Sequence, residues 1–126
     1  MAHALCVPSS GTLPLLPPLP EVDFVVEPTA EDVAFFQENG YLRVERITAD
    51  EEVEWLREAY DLLFADKSGA FPGGYFDLAR PYDAEGEDRL PQVLMPELRF
   101  PDLRRTAYHR NARRISAALM QVDESE

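Results

Sequence analysis

The 126-residue sequence predicts an α+β chain: three helices, two or three short strands and one long loop. Three observations predict it. Apolar residues recur at steps of three and four in two separate stretches, each preceded by a helix-start signal. Two short runs, 22–26 and 41–46, carry the alternating or β-branched apolar residues of strands. Between the last two helices, residues 67–101 hold five of the eleven prolines and four of the six glycines. That density of chain breakers predicts a loop.

The elements follow in order. Val22-Asp23-Phe24-Val25-Val26 reads as a strand that Pro28 stops. Thr29 is a good helix cap, Asp32 sits three residues on, and Asn39-Gly40 closes the helix. Val33, Phe35 and Phe36 give that helix one apolar side. Tyr41 to Arg46 reads as a second strand, with Leu42 and Val44 on one face. Thr48-Ala49-Asp50-Glu51 has the pattern of a capping box. The helix after it is expected to run to about Asp66. Its apolar stripe is Val53, Leu56, Tyr60 and Leu63, widened by Trp55, Ala59 and Leu62. The long loop is no flexible linker, because Phe71, Tyr75, Phe76, Tyr82, Leu90, Val93, Leu94 and Met95 are apolar anchors within it. Pro101-Asp102 opens the third helix, to about residue 120, with a stripe of Tyr108, Ala112, Ile115 and Leu119.

The chain divides into three parts. Residues 1–20 contain five prolines and no charged residue, and read as a disordered Pro/Leu-rich tail. Pro14 and Pro17 form a short P-x-x-P pattern within it. Residues 21–121 form the folded unit, and residues 122–126 an acidic tail. With Cys6 as the single cysteine, no internal disulfide is possible, and a cytoplasmic location fits best. The prolines interrupt the apolar start and no basic residue opens it, which argues against a signal peptide. No apolar run is long enough to span a bilayer.

Twenty-four acids against twelve Lys and Arg give a net charge of −12. This argues against nucleic acid and anionic membrane surfaces as partners. The charge is uneven. Residues 21–66 carry fourteen acids and three bases, whereas residues 99–114 carry six arginines and one aspartate. The arginine cluster reads as a solvated or salt-bridged helix face, or as a seat for a phosphate or carboxylate.

No catalytic, metal or cofactor residue stands out. The two histidines are His3, in the tail, and His109, which Arg110 and Asn111 follow and which no His-x-Asp pair includes. A non-haem iron site needs two imidazoles and a carboxylate with open positions. Ser9, Ser10, Ser68, Ser116 and Ser125 lack a G-x-S-x-G setting. Gly73-Gly74 has no Lys-Ser/Thr after it and is not a phosphate loop. Asp50, Glu51 and Glu52 serve helix capping first.

Three blocks nevertheless carry a resemblance. Phe35-Phe36-Gln37-Glu38-Asn39-Gly40-Tyr41-Leu42-Arg43-Val44 is an aromatic helix ending in a polar-Gly-aromatic turn. Thr48 to Arg57 is the helix that follows. Leu90-Pro91-Gln92-Val93-Leu94-Met95-Pro96-Glu97 and the helix from Asp102 to Met120 form the third block. In this order, over about residues 24–120, they resemble the opening part of the phytanoyl-CoA dioxygenase family. The resemblance implies an oxygenase that uses Fe(II) and 2-oxoglutarate to hydroxylate a small organic substrate on a double-stranded β-helix, or jelly roll. It places the iron on a His-x-Asp pair and a distant His, and 2-oxoglutarate on an Arg near that His. None of those residues lies in this sequence. On this reading, residues 21–121 are the N-terminal flank of a jelly roll whose catalytic core is absent. The chain is then expected to be a truncated, inactive member with no cofactor of its own. Tyr75, Phe76 and Gln92 would sit near the substrate entrance. The alternative is a non-catalytic interaction or regulatory protein that binds a partner, or itself, through apolar helix faces.

Overall fold

A computed structural model describes residues 15–66, 74–79 and 86–123. It is a mixed α+β arrangement. Helix α1 spans Ala30–Asn39, α2 Asp50–Ala65 and α3 Ala107–Met120. Strands β1 (Tyr75–Asp77) and β2 (Pro91–Val93) form a two-stranded antiparallel sheet, and two 3₁₀ turns, Pro96–Leu98 and Pro101–Arg105, lead into α3. The expected number of helices and short strands is met, but the strands lie elsewhere.

The cap of α1 is as the sequence predicts. Thr29 Oγ1 accepts from the Asp32 backbone N–H, and the Asp32 carboxylate accepts from that of Thr29. Gly40 ends the helix at φ 79°, a conformation that costs glycine nothing. The helix leans on α3, where the Gln37 side-chain amide donates to the Leu119 carbonyl at 2.8 Å.

Neither predicted N-terminal strand pairs into a sheet. Segment 22–26 is extended, and its burial alternates as a strand's would, with Val22, Phe24 and Val26 turned inward and Asp23 and Val25 outward. Segment 41–46 likewise half-buries Leu42 and Val44. Alternation reports one face against a core. It does not report which groups take the backbone hydrogen bonds. Here a side chain takes them. Asn111, on α3 and 1 % exposed, donates through Nδ2 to the Phe24 carbonyl (2.9 Å) and the Ile47 carbonyl (2.8 Å). Its Oδ1 accepts from the Val26 N–H (3.1 Å) and from Arg114 Nη1 (3.2 Å). Both hydrogens and both lone pairs of the amide are thereby used.

The capping box expected at Thr48 does not form. The N-cap of α2 is Ala49, which has no side-chain cap bond. The Thr48 hydroxyl instead donates to Glu52 at 2.8 Å. The buried register of α2 is Glu52, Trp55, Ala59 and Leu63, so Val53 and Tyr60, predicted to face inward, stand 40 % and 57 % exposed. The predicted third helix is broken at Thr106, whose ψ of 150° separates the 3₁₀ turn from α3. On α3, Ile115 and Leu119 are buried as expected. Tyr108 is not, and Ala107 and Asn111 take the inner positions.

The break in the third helix creates the centre of the fold. A helix start leaves N–H groups without helical partners. At α3, Glu52 reaches across from α2 and accepts from the Ala107 and Tyr108 N–H groups, both at 2.7 Å. Thr106 Oγ1 accepts from the His109 N–H at 3.0 Å and donates to the Leu103 carbonyl at 2.7 Å. The Glu52 carboxylate is 1 % exposed. Charge-assisted hydrogen bonds and the positive end of the α3 dipole compensate its burial. Trp55, Ala59, Leu63, Phe100, Ala107, Ile115, Ala117 and Leu119 form the apolar core around this knot.

Of the Pro/Leu-rich leader, residues 15–20 are described. They lie across α2, where the Pro17 carbonyl accepts from Trp55 Nε1 at 2.8 Å. This part of the leader is held to the fold. Residues 1–14, with Cys6, His3 and Pro14, lie outside the described residues, as does the tail beyond Asp123.

Candidate functional site

Tyr75, Phe76 and Gln92, the residues the resemblance places at a substrate entrance, come together in the β1–β2 sheet. Phe76 and Gln92 are direct cross-strand partners, and Tyr75 is opposite Val93. The three are half-buried. Asp77 organises the sheet's end. Its carboxylate accepts from the Ala79 N–H (2.8 Å) and the Arg89 N–H (2.6 Å), and the Leu78 N–H donates to the Leu90 carbonyl at 2.9 Å. The Tyr75 hydroxyl donates to Asp88.

An aromatic row ties this sheet to α2. The Tyr60 and Phe64 rings stack at 4.4 Å, and Phe64 meets Tyr75 edge-on at 6.2 Å. Asp66, at the end of α2, forms an ion pair with Arg99. Large apolar side chains on the elements that carry the row are open to solvent. Tyr60, Leu78, Leu90, Leu94, Met95 and Leu98 are all between 40 % and 67 % exposed. Large apolar residues are exposed elsewhere too, as at Phe35, Tyr41, Val53 and Tyr108, but five fall within 78–98, in the segments flanking this small sheet.

The second feature is the arginine face. Arg104, from the 3₁₀ turn, and His109, Arg110, Arg113 and Arg114, from α3, line one open groove of about 280 Å³. Arg104 Nη2 donates to Glu97 at 3.2 Å. The Glu97 carboxyl sits below the usual glutamate range. The hydrogen bond from its own backbone N–H lowers it most, slight burial opposes, and Arg104 and His109 lower it further. Arg105 pairs with Asp102 at 3.0 Å, and Arg110 Nη1 donates to the Arg105 carbonyl. The acidic segment 21–66 meets the start of α3 through Glu52, which accepts from the Ala107 and Tyr108 N–H groups.

The described residues do not suit the iron that the resemblance implies. Among the described residues no three His, Cys, Asp or Glu side chains converge as a ligand set. His109, the one histidine described, lines a groove with four guanidinium groups, which repel a cation. No step through iron is assigned to these residues.

No family model matches this chain, and no curated protein or solved structure matches it. Function therefore rests on the surfaces themselves. No helix among the described residues is long and apolar enough to cross a membrane.

Sequence reasoning missed the polar knot. Glu52 was expected to cap its own helix and instead caps α3, and Asn111 carried no expectation. A signal existed for both: each stands in register with the buried apolar residues of its helix, Glu52 with Trp55, Ala59 and Leu63, and Asn111 with Ile115.

Proposed function

We propose that this chain is the N-terminal flank of a phytanoyl-CoA dioxygenase-type oxygenase, a non-catalytic piece whose hairpin surface covers further protein. The observation that carries the reading is the open apolar surface of Tyr60, Leu78, Leu90, Leu94, Met95 and Leu98 around a sheet of two three-residue strands. An isolated two-stranded sheet is marginal in water, and such a surface suits a larger sheet beside it. The order helix, turn, helix, hairpin, helix supports the family reading, as do the three sequence blocks that carry the resemblance. The hydroxylation chemistry belongs, on this reading, to residues outside this sequence. Tyr75, Phe76 and Gln92 shape the approach of the substrate and do not touch iron.

Two measurements test it. Purified chain given Fe(II) and 2-oxoglutarate is expected to release no succinate above the protein-free control, and turnover contradicts the non-catalytic role. Peptide mapping of the product in its source cells is expected to extend past Glu126 into a His-x-Asp segment. A product of 14.3 kDa contradicts the oxygenase part of the reading and favours an independent partner-binding protein that uses the same surface.

A further inference from the structure

We propose that the Trp55 side of α2 recognises a proline-fixed extended segment, where the leader of a second copy of this chain exchanges with the chain's own residues 15–20. The oxygenase reading gives the leader no role, and this site is independent of it.

Proline holds φ near −65°, and a residue before proline is pushed to extended backbone. Each of residues 16–20 is a proline or precedes one. Such a run is set towards polyproline II, with three residues per turn, before it meets any surface. The burial follows that period. Leu16, Leu19 and Val22 are half-buried, three apart, with Pro20 beside them, while Pro17, Pro18 and Glu21 are exposed. A segment already stiff loses little freedom on docking, from its own chain or from another.

Trp55 is buried, and its indole Nε1–H donates to the Pro17 carbonyl at 2.8 Å. Aromatic-lined grooves are where polyproline II segments dock. No backbone–backbone hydrogen bond among those described ties residues 15–20 to the fold. The strap is held by side-chain contacts and one hydrogen bond, so it comes away without breaking a helix or a sheet. The chain just after it stays. Asn111 fastens the Phe24 carbonyl and the Val26 N–H from α3. The hinge falls between the two, at exposed Glu21. Release leaves the Trp55 N–H without its acceptor, a cost that an equivalent segment removes.

The ligand seen to fit is this leader, and a second copy brings it unchanged. Exchange of an identical element is a low-cost route to a dimer. Residues 1–20 carry no Asp, Glu, Lys or Arg, so the leader is the part that a second copy of net charge −12 repels least. The tether gives a chain's own leader a high effective concentration. Exchange therefore shows where the protein is concentrated or its resident strap is weakened.

The test uses the full chain, in which Trp55 is the single tryptophan and Cys6 the single cysteine. Leu15 is 96 % exposed and lies two residues before Pro17. A nitroxide is placed there through Leu15→Cys in a Cys6→Ser background. This chain is mixed with isotope-labelled chain carrying Leu16→Ser/Leu19→Ser, and broadening of the Trp55 Nε1–H signal is read against the reduced nitroxide. Unchanged Ala107 and Tyr108 amide shifts check that the serine variant keeps its fold. Broadening is expected to saturate, and to exceed by about threefold or more that in isotope-labelled chain with its leader intact. It is expected to vanish when the nitroxide chain carries the two serines instead, to persist with Leu78→Ser in the hairpin, and to be reversed by an unlabelled peptide of residues 15–21. Broadening indifferent to which chain carries the serines, its loss with Leu78→Ser, or its absence up to millimolar chain would overturn the proposal. A Trp55 shift with the peptide but none with the nitroxide chain also overturns it, and assigns the face to a proline-rich segment of a different protein.

Discussion

The start of α3 and the β1–β2 hairpin solve opposite problems. At α3, polar groups are buried and every one described has a partner: Glu52, Thr106 and Asn111 satisfy three helix N–H groups and three groups of the extended segments. At the hairpin, apolar groups are exposed and nothing within the described residues covers them. A buried polar network lowers the free energy only when complete, since each group left unpaired carries its full desolvation cost. The first region is therefore self-sufficient. On the reading proposed above, the second is completed by further protein beside it. On that reading stability and function are divided between them, and mutations should respect the division.

The largest effect should come from Glu52→Ala. It strips the acceptor from two helix N–H groups and leaves a void in the core, and a loss of about 3 kcal/mol or more is expected in urea unfolding. Glu52→Gln keeps the shape but loses charge, and should cost less. Asn111→Ala is expected to cost about 2 kcal/mol, because the Val26 N–H and the Phe24 and Ile47 carbonyls lose their partner together. Amide exchange at Val26 should rise in the same variant. Trp55→Phe removes the bond that holds the leader, with about 1 kcal/mol lost and faster proteolysis near Pro17.

The hairpin should behave otherwise. Leu78→Ser removes apolar surface that is 67 % exposed in the folded chain, so stability should change by less than about 1 kcal/mol while self-association in sedimentation falls. A large destabilisation would erase the contrast between the regions.

The smallest effect is on pH. A carboxyl held lower in the folded chain than in the unfolded one adds stability above the unfolded value, and loses it as the pH falls through the folded one. Glu97 should therefore contribute at neutral pH and cease to contribute in acid. Glu97→Gln should remove that part of the acid-side slope. The side chain is partly solvated, so the change is slight.

How much of this the sequence made legible follows from range. Thr29, Asp32 and Gly40 act within one helix turn, and the cap they form was readable from spacing alone. The alternation in 22–26 and 41–46 correctly indicated an inward face. It was silent on pairing, because the partner is a side chain more than sixty residues away. The expected faces of α2 and α3 included Trp55, Ala59, Leu63, Ile115 and Leu119, which are buried, but also Val53, Tyr60 and Tyr108, which are not, and hydrophobicity alone could not count Glu52 and Asn111 as inward. Tyr75, Phe76 and Gln92 were named from a resemblance, and the sheet register brings them together. The arginine run was plain in the sequence. That its side chains border one groove depends on the break at Thr106, which no local pattern announced.

The most direct test of the division is amide hydrogen exchange on the purified chain. The account predicts the strongest protection at Ala107, Tyr108, His109 and Val26, whose acceptors are Glu52, Thr106 and Asn111, and near-free exchange at Leu78 in the uncovered hairpin. Equal protection in the two regions, or protection at Leu78 with none at Ala107 and Tyr108, would contradict it.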